Sequence, residues 1–260
     1  MIDAFKGKTV IVFGASKGIG YASVLRFLSL GSRVVLASRN IDLLRKRTDE
    51  LNNSNSLAHA VYCDVSDYTS VCDVVSYAQK FGNIDYVVNS AGTIEPLAKL
   101  IESDPLLWEQ AININFKGAY NVIRACSPVM KEQGFGTIVS LSSGAANSIL
   151  EGWSHYCSTK AAVKKLTEVA HKELNEYNIN VIGLSPGTVA TEMMERIRDA
   201  DINVVSRLKW STHIPADWAA QAITFLCGPE GKQFSGTDFS IKTEEGRKLV
   251  GLDKLGSKLL

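Results

Sequence analysis

The chain has 260 residues, enough for one α/β domain or two small ones and for a substantial buried core. Its hydrophobic fraction of 45% is that of an ordinary globular protein, and 28 Lys and Arg against 27 Asp and Glu leave a net charge of +1. No strong field is available to draw a polyanion, so nucleic acid is not an expected partner.

The N-terminus enters the apolar run Thr9-Val10-Ile11-Val12-Phe13 almost at once, which suits a strand better than a cleaved leader. No apolar stretch approaches the length of a membrane span, so neither a membrane nor a leader is expected and the cytoplasm is the expected location. Short β-branched runs then alternate with longer stretches of helical periodicity, the pattern of βαβ units around a mostly parallel sheet. Strands are predicted at Thr9 to Phe13, Arg33 to Ala37, Ala58 to Tyr62, Ile84 to Val88, Thr137 to Leu141, Asn180 to Leu184 and Thr237 to Ile241. One long helix is predicted from Trp108 to Met130, its buried face carrying Ala111, Ile112, Asn115, Ala119, Val122, Ile123, Cys126 and Met130, with Pro128 kinking its end. A second runs from about Tyr156 to Tyr177. Nothing in the chain reads as a repeat or a linker, so 1–260 is expected to be a single doubly wound domain with helices on both faces. Lys242, Arg247, Lys248, Lys254 and Lys258, mixed with Glu244, Glu245 and Asp253, read as a solvated surface.

Cys63, Cys72, Cys126, Cys157 and Cys227 follow no metal-binding or redox spacing, and an odd number cannot pair fully within one chain; they read as reduced thiols. The histidines lack ligand spacing too, so no metal is expected.

Four features carry chemistry. Gly14-Ala15-Ser16-Lys17-Gly18-Ile19-Gly20 follows the first strand and leads into a helix, where glycines let the backbone approach a pyrophosphate over free helix-terminal amides. A tight strand-to-helix turn would need the same glycines. Tyr156 and Lys160 are four residues apart on one helix face, so the ammonium is expected to lower the phenol's pKa and let it exchange protons at neutral pH. A surface Tyr and Lys one turn apart look alike in sequence. Ser142 and Ser143 end the fifth strand, at the sheet edge where ligands of such folds bind, and either hydroxyl can meet a substrate oxygen. Asn115, finally, sits on an apolar helical face, and a buried amide there demands partners.

The glycine spacing, Asn89-Ser90-Ala91-Gly92, the run Trp108 to Gly118, Ser142-Ser143, Tyr156 to Lys160 and Ser185-Pro186-Gly187-Thr188-Val189-Ala190-Thr191 occur in order, and together they resemble the short-chain dehydrogenase/reductase family over nearly the whole chain. Phe13 and Ser90 replace a threonine and an asparagine of that pattern. The resemblance implies a Rossmann-like fold and transfer of a hydride between NADP(H) and a small carbonyl or alcohol. It assigns catalysis to Ser143, with Ser142 as runner-up, to Tyr156 and Lys160, and to Asn115, which holds the water of a proton relay; Asn113 reads as structural. For the cofactor it implies Gly14, Ser16, Lys17, Gly18, Ile19 and Gly20 at the phosphates, Asp64 and Val65 at the adenine, Asn89, Ala91 and Gly92 along the cleft, Tyr156 and Lys160 at the ribose, and Pro186, Gly187, Val189 and Thr191 at the nicotinamide. In dinucleotide folds that select NAD, an acid ends the second strand and repels a 2′-phosphate. Here Ser38 and Arg39 stand in that place, and Arg39 with Lys17 offers two cations to such a phosphate, so NADPH is expected over NADH.

Gly152-Trp153, Tyr156-Cys157, Lys160-Ala161-Ala162 and Thr191-Glu192-Met193 are similar to the sepiapterin reductase and benzil reductase branch, which implies ketones or vicinal diketones as substrates. The acid that anchors a pterin has no counterpart around Phe239 to Lys242, where only Asp238 is near. Residues 191–210 alternate Met193, Met194, Ile197 and Trp210 with charges, as a lid over an apolar substrate would. The alternatives are a 3-oxoacyl-carrier-protein reductase or alcohol dehydrogenase of the same family, and a non-catalytic NADP(H) sensor. Family members pair through the two long helices, so a homodimer or homotetramer is expected.

Overall fold

The computed structural model describes residues 4–52 and 56–252. Seven strands, β1 (Thr9–Phe13), β2 (Arg33–Ser38), β3 (Ala58–Tyr62), β4 (Tyr86–Asn89), β5 (Gly136–Leu141), β6 (Ile179–Ser185) and β7 (Asp238–Ser240), make one sheet in the order β3-β2-β1-β4-β5-β6-β7, every pair parallel. The central strands β1 and β5 are buried at every position because both of their faces are covered. Val10 and Val12 of β1 face one core with Val24 and Phe27 of α1 (Gly18–Ser29) and Ile223 and Leu226 of α8 (Ala216–Cys227). Ile11 and Phe13 face the other, against Val71 and Val74 of α3 (Tyr68–Gln79) and Val122 and Cys126 of α5 (Gly118–Gln133). The single doubly wound sheet expected from the alternating pattern is thus present, and its order reverses between β1 and β4, which opens the crevice where ligands of open α/β sheets bind.

Helix starts follow local signals. Asn40 accepts from the Leu43 amide to cap α2 (Ile41–Leu51), and Asp67 caps α3 through Thr69. Asp104 accepts from Leu106 to start α4 (Pro105–Ile112), with Pro105 in the first turn. The remaining helices are α6 (Ser154–Leu174), α7 (Glu192–Ala200) and α9 (Glu244–Val250). No described helix is long and apolar enough to cross a membrane.

Several boundaries differ from the sequence reading. The helix expected from Trp108 to Met130 is two, α4 and α5, joined by a π-helical turn over Asn113–Lys117; α5 passes through Pro128 and ends at Gln133 before the left-handed Gly134. The strand expected from Ile84 begins at Tyr86, because the Ile84 backbone bonds both ends of the Gln133 side-chain amide instead of the ladder. The helix expected to run to Tyr177 gives way to a 3₁₀ turn after Leu174. Arg247 is not solvated: it is buried, donating from Nη1 to the carbonyls of Ile241 and Lys242 at 3.0 and 2.7 Å. Asp253, Lys254 and Lys258 lie outside the described residues.

Candidate active site at the C-terminal edge of the sheet

The glycine loop turns back on the end of β1. Gly14 has φ +75°, and a Cβ there would stand 2.7 Å from the Ala91 amide after β4, so the two crossing loops touch only because the residue is glycine. A Cβ on Gly20 would collide with the Gly14 carbonyl. No side chain caps α1, so its first amides face outward unpaired by any cap. These are the requirements of a pyrophosphate cradle.

A cleft of about 490 Å³ runs from this loop across the sheet edge. Its walls hold Gly14, Ser16, Lys17, Gly18, Ile19, Ser38, Arg39, Asp64, Val65, Ala91, Gly92 and Thr191, all expected at the cofactor from sequence, together with Asn40, Leu43, Cys63, Ser90, Ile114, Glu192 and Met193, which were not assigned to it. The fit to a dinucleotide is good at the phosphate and adenosine ends. Arg39 is exposed there and makes no side-chain hydrogen bond or ion pair among the described residues, and no acid ends β2. Lys17, by contrast, is already engaged: Nζ meets Glu192 Oε2 at 2.7 Å across the cleft mouth, and Arg196 takes the other carboxylate oxygen at 2.7 Å. Both cations hold Glu192 below the usual carboxylate range, Lys17 foremost.

Asn89 is not a wall of the cleft; Ser90 takes that place. Asn89 is buried at the end of β4, where its Oδ1 accepts from the Ala91 amide at 3.4 Å and shapes the turn. Gly20 lies behind the loop, and Pro186, Gly187 and Val189 lie past the end of the cleft, which stops at Thr191 to Met193. Val189 forms a bridge with Ile214 that uses the Thr188 carbonyl and the Ala190 amide, so its own amide is not spent on it. The Thr191 hydroxyl donates to the Val189 carbonyl at 3.2 Å.

Beyond that end the structure brings Ser143, Tyr156, Lys160 and Asn115 together from the loop after β5, from α6 and from the π-helical turn. Ser143 faces the Tyr156 phenol closely enough to pull its pKa downward, while its Oγ accepts from the Ala145 amide at 3.1 Å. The expected lowering of that phenol's pKa is not what the site produces: burial pushes it up to about 12, against the pull of Ser143. Lys160 does not offset that burial. Its Nζ lies 5.5 Å from the centre of the phenol ring and donates instead to the Leu141 carbonyl at 2.6 Å. Burial of that ammonium brings its own pKa down to about 8, opposed by the charge of Asp238.

Asn115, 2% exposed, has the partners its position demanded: Oδ1 accepts from the Thr93 amide at 2.8 Å, and Nδ2 donates to the Thr93 carbonyl at 2.9 Å and to Thr159 Oγ1 at 3.4 Å. It therefore pins the chain after β4 to α6. His155 is buried with Nε2 against the Ile94 carbonyl at 2.8 Å, a packing role. Ser142 turns away from Tyr156, donating to Asp238 Oδ2 at 3.1 Å, which leaves Ser143 as the serine facing the phenol.

Met194 and Ile197 of α7 pack with Ile94, Ala145 and Trp153, with Tyr156 and Met193 at the edge of the cluster. Trp153 meets the Tyr156 ring edge to face at 5.6 Å. The segment expected as a lid thus packs its apolar side chains into the cluster that Tyr156 borders.

Comparison with known proteins agrees with this geometry. A family model described as short chain dehydrogenase matches residues 8–202. An uncharacterized oxidoreductase from Staphylococcus saprophyticus is 31% identical over 91% of this chain and 96% of its own length. A 3-oxoacyl-[acyl-carrier-protein] reductase from Thermotoga maritima is 32% identical over 89% and 94%. Among solved structures, the 3-ketoacyl-(acyl-carrier-protein) reductase from Brucella melitensis, complexed with NADH, superposes with TM-score 0.80 at 26% identity, covering 91% of this chain and 97% of that one. An NAD+-bound xylitol dehydrogenase gives TM-score 0.84 at 26% identity, covering 91% and 98%. With the family model matching residues 8–202 and the Thermotoga relative 32% identical over 89% of the chain, the chain belongs to the short-chain dehydrogenase/reductase family of oxidoreductases.

Proposed function

We propose that the chain is an NADPH-dependent carbonyl reductase that takes a ketone or diketone to the alcohol, reversibly. The observation that carries this reading is the Ser143–Tyr156 pair under an apolar cover, with the Lys160 ammonium beside it, directly past a glycine cradle. Ser143 and Tyr156 would both hydrogen-bond the carbonyl oxygen and draw charge toward it. A bound nicotinamide would supply the hydride. The phenol, held near 12, keeps its proton at neutral pH and gives it to the developing alkoxide. Lys160 would leave the Leu141 carbonyl for the ribose hydroxyls while its charge stabilises the phenolate. Asn115, whose amide is spent on Thr93 and Thr159, would position the floor on which water links Lys160 to solvent. In the same reading α7 is the lid, and Val189 and Thr191 hold the carboxamide.

NADPH is favoured over NADH by Arg39, which makes no ion pair among the described residues although Asp64 lines the same cleft, and by Lys17 across the mouth. The solved relatives above hold NADH and NAD+, so this preference rests on the residues of this chain alone. The Thermotoga relative favours a second reading, reduction of the 3-oxo group of an acyl thioester to the 3-hydroxy group. Turnover of NADPH against a panel of monoketones, vicinal diketones and 3-oxoacyl thioesters tests both. Diketones turned over with the highest kcat/KM is the expected result; preference for the thioester moves the assignment to the second reading, and no turnover despite tight cofactor binding leaves a sensor.

A further inference from the structure

Asp238 is a carboxylate that the fold goes out of its way to admit. It stands in β7, in register with Gly183 of β6, and a Cβ on Gly183 would lie 2.7 Å from Asp238 Oδ1. The missing side chain lets the carboxylate lean across β6 toward the end of β5, where Ser142 donates to Oδ2 at 3.1 Å. The other oxygen, Oδ1, is buried with no partner, and so is the hydroxyl of Ser140, which is in register with Gly183 on β5. No cation lies within ion-pair distance of Asp238 among the described residues. A half-buried carboxylate with one oxygen buried and unpartnered is costly and calls for a reason.

The reason lies on α6, which packs over this end of the sheet. Lys160, Lys164 and Glu168 of that helix all act on Asp238, and Lys164 is itself spent on Asn147 Oδ1 at 2.9 Å. Leu141, whose carbonyl holds the Lys160 ammonium, directly precedes Ser142, which Asp238 holds, and Ser143, which faces Tyr156, directly follows it. We infer that Asp238 is a positioning residue for the Tyr156–Lys160 pair: it fixes the end of β5 through Ser142, and its charge offsets the burial of the Lys160 ammonium. Asp238 is the one charged group that raises the pKa of Lys160.

The inference rests on the catalytic reading above, and its test separates the two. The pH profile of kcat/KM for NADPH-driven reduction of benzil, a vicinal diketone, is recorded for the wild type, Asp238→Asn, Ser142→Ala and Tyr156→Phe. Asp238→Asn keeps the shape and an acceptor for Ser142 but removes the charge, so its alkaline limb moves toward neutrality by about half a pH unit or more. Ser142→Ala breaks the tether and keeps the charge: its kcat falls several-fold with the limb in place. A merely structural carboxylate would lower stability without moving the limb. If Asp238→Asn does not fold, Asp238→Ser reads the same limb. A limb that coincides with the wild type overturns this inference alone, whereas turnover surviving in Tyr156→Phe overturns the catalytic reading.

Discussion

At the scale of single residues, the site separates two acids by burial rather than by attraction. Tyr156 holds its proton to about pH 12 and Lys160 to about 8, so the group that titrates first as pH rises is the lysine. Reduction needs both protonated, and kcat/KM is therefore expected to fall above about pH 8; a plateau persisting to pH 10 would remove Lys160 from the mechanism. Tyr156→Phe deletes the proton donor and little surface, so turnover should drop by about 10²–10⁴ with NADPH affinity kept within about twofold. Isothermal titration beside steady-state kinetics reads both quantities, and joint loss would mean the phenol is a cofactor anchor. The residue types of this site were legible because their spacings are short: glycines within one turn, Tyr156 and Lys160 within one helical turn. Lys17 with Glu192, 175 positions apart, and Ser142 with Asp238, 96 apart, were not legible, because no local pattern joins residues that only the sheet order brings together. The direction of the phenol's shift was not legible either, because it is set by how deeply the fold buries the ring. Helical spacing set Lys160 beside Tyr156, but the competing Leu141 carbonyl comes from another element.

Among the elements, the strands were legible almost residue for residue, since burial on both faces leaves continuous β-branched runs. The π-helical turn at Asn113–Lys117 was not, because its cause is tertiary: Asn115 is held by Thr93 and Thr159 rather than by anything in its own helix. The start of α7 carries a different consequence. Glu192 ties α7 to the glycine loop through Lys17, an exposed pair that contributes little to stability. Glu192→Gln should leave the thermal midpoint nearly unchanged, yet free Lys17 and remove a negative charge from the mouth where a 2′-phosphate would enter. The expected result is NADPH binding tightened several-fold with NADH binding unmoved; equal effects on both cofactors would show that the latch, not the phosphate, is what Glu192 governs.

For the whole molecule, the surface of α4, α5 and the turn between them leaves Leu106, Leu107, Phe116 and Tyr120 exposed, and α6 adds Val169. Apolar side chains clustered on neighbouring helices are more than a solvated face needs, and burial against a second copy is the expected remedy. Light scattering at micromolar concentration should return a dimer or tetramer mass, and Tyr120→Glu should lower it; a monomer at all concentrations rejects the pairing. Which cofactor the whole cleft selects is the central question, and a comparison of kcat/KM for NADPH and NADH on one diketone answers it most directly. With Arg39 unpaired and no acid at the end of β2, NADPH is expected to win by at least about tenfold, and Arg39→Ala to erase most of that margin through weaker NADPH binding. Equal efficiencies, or a preference for NADH, would contradict the account.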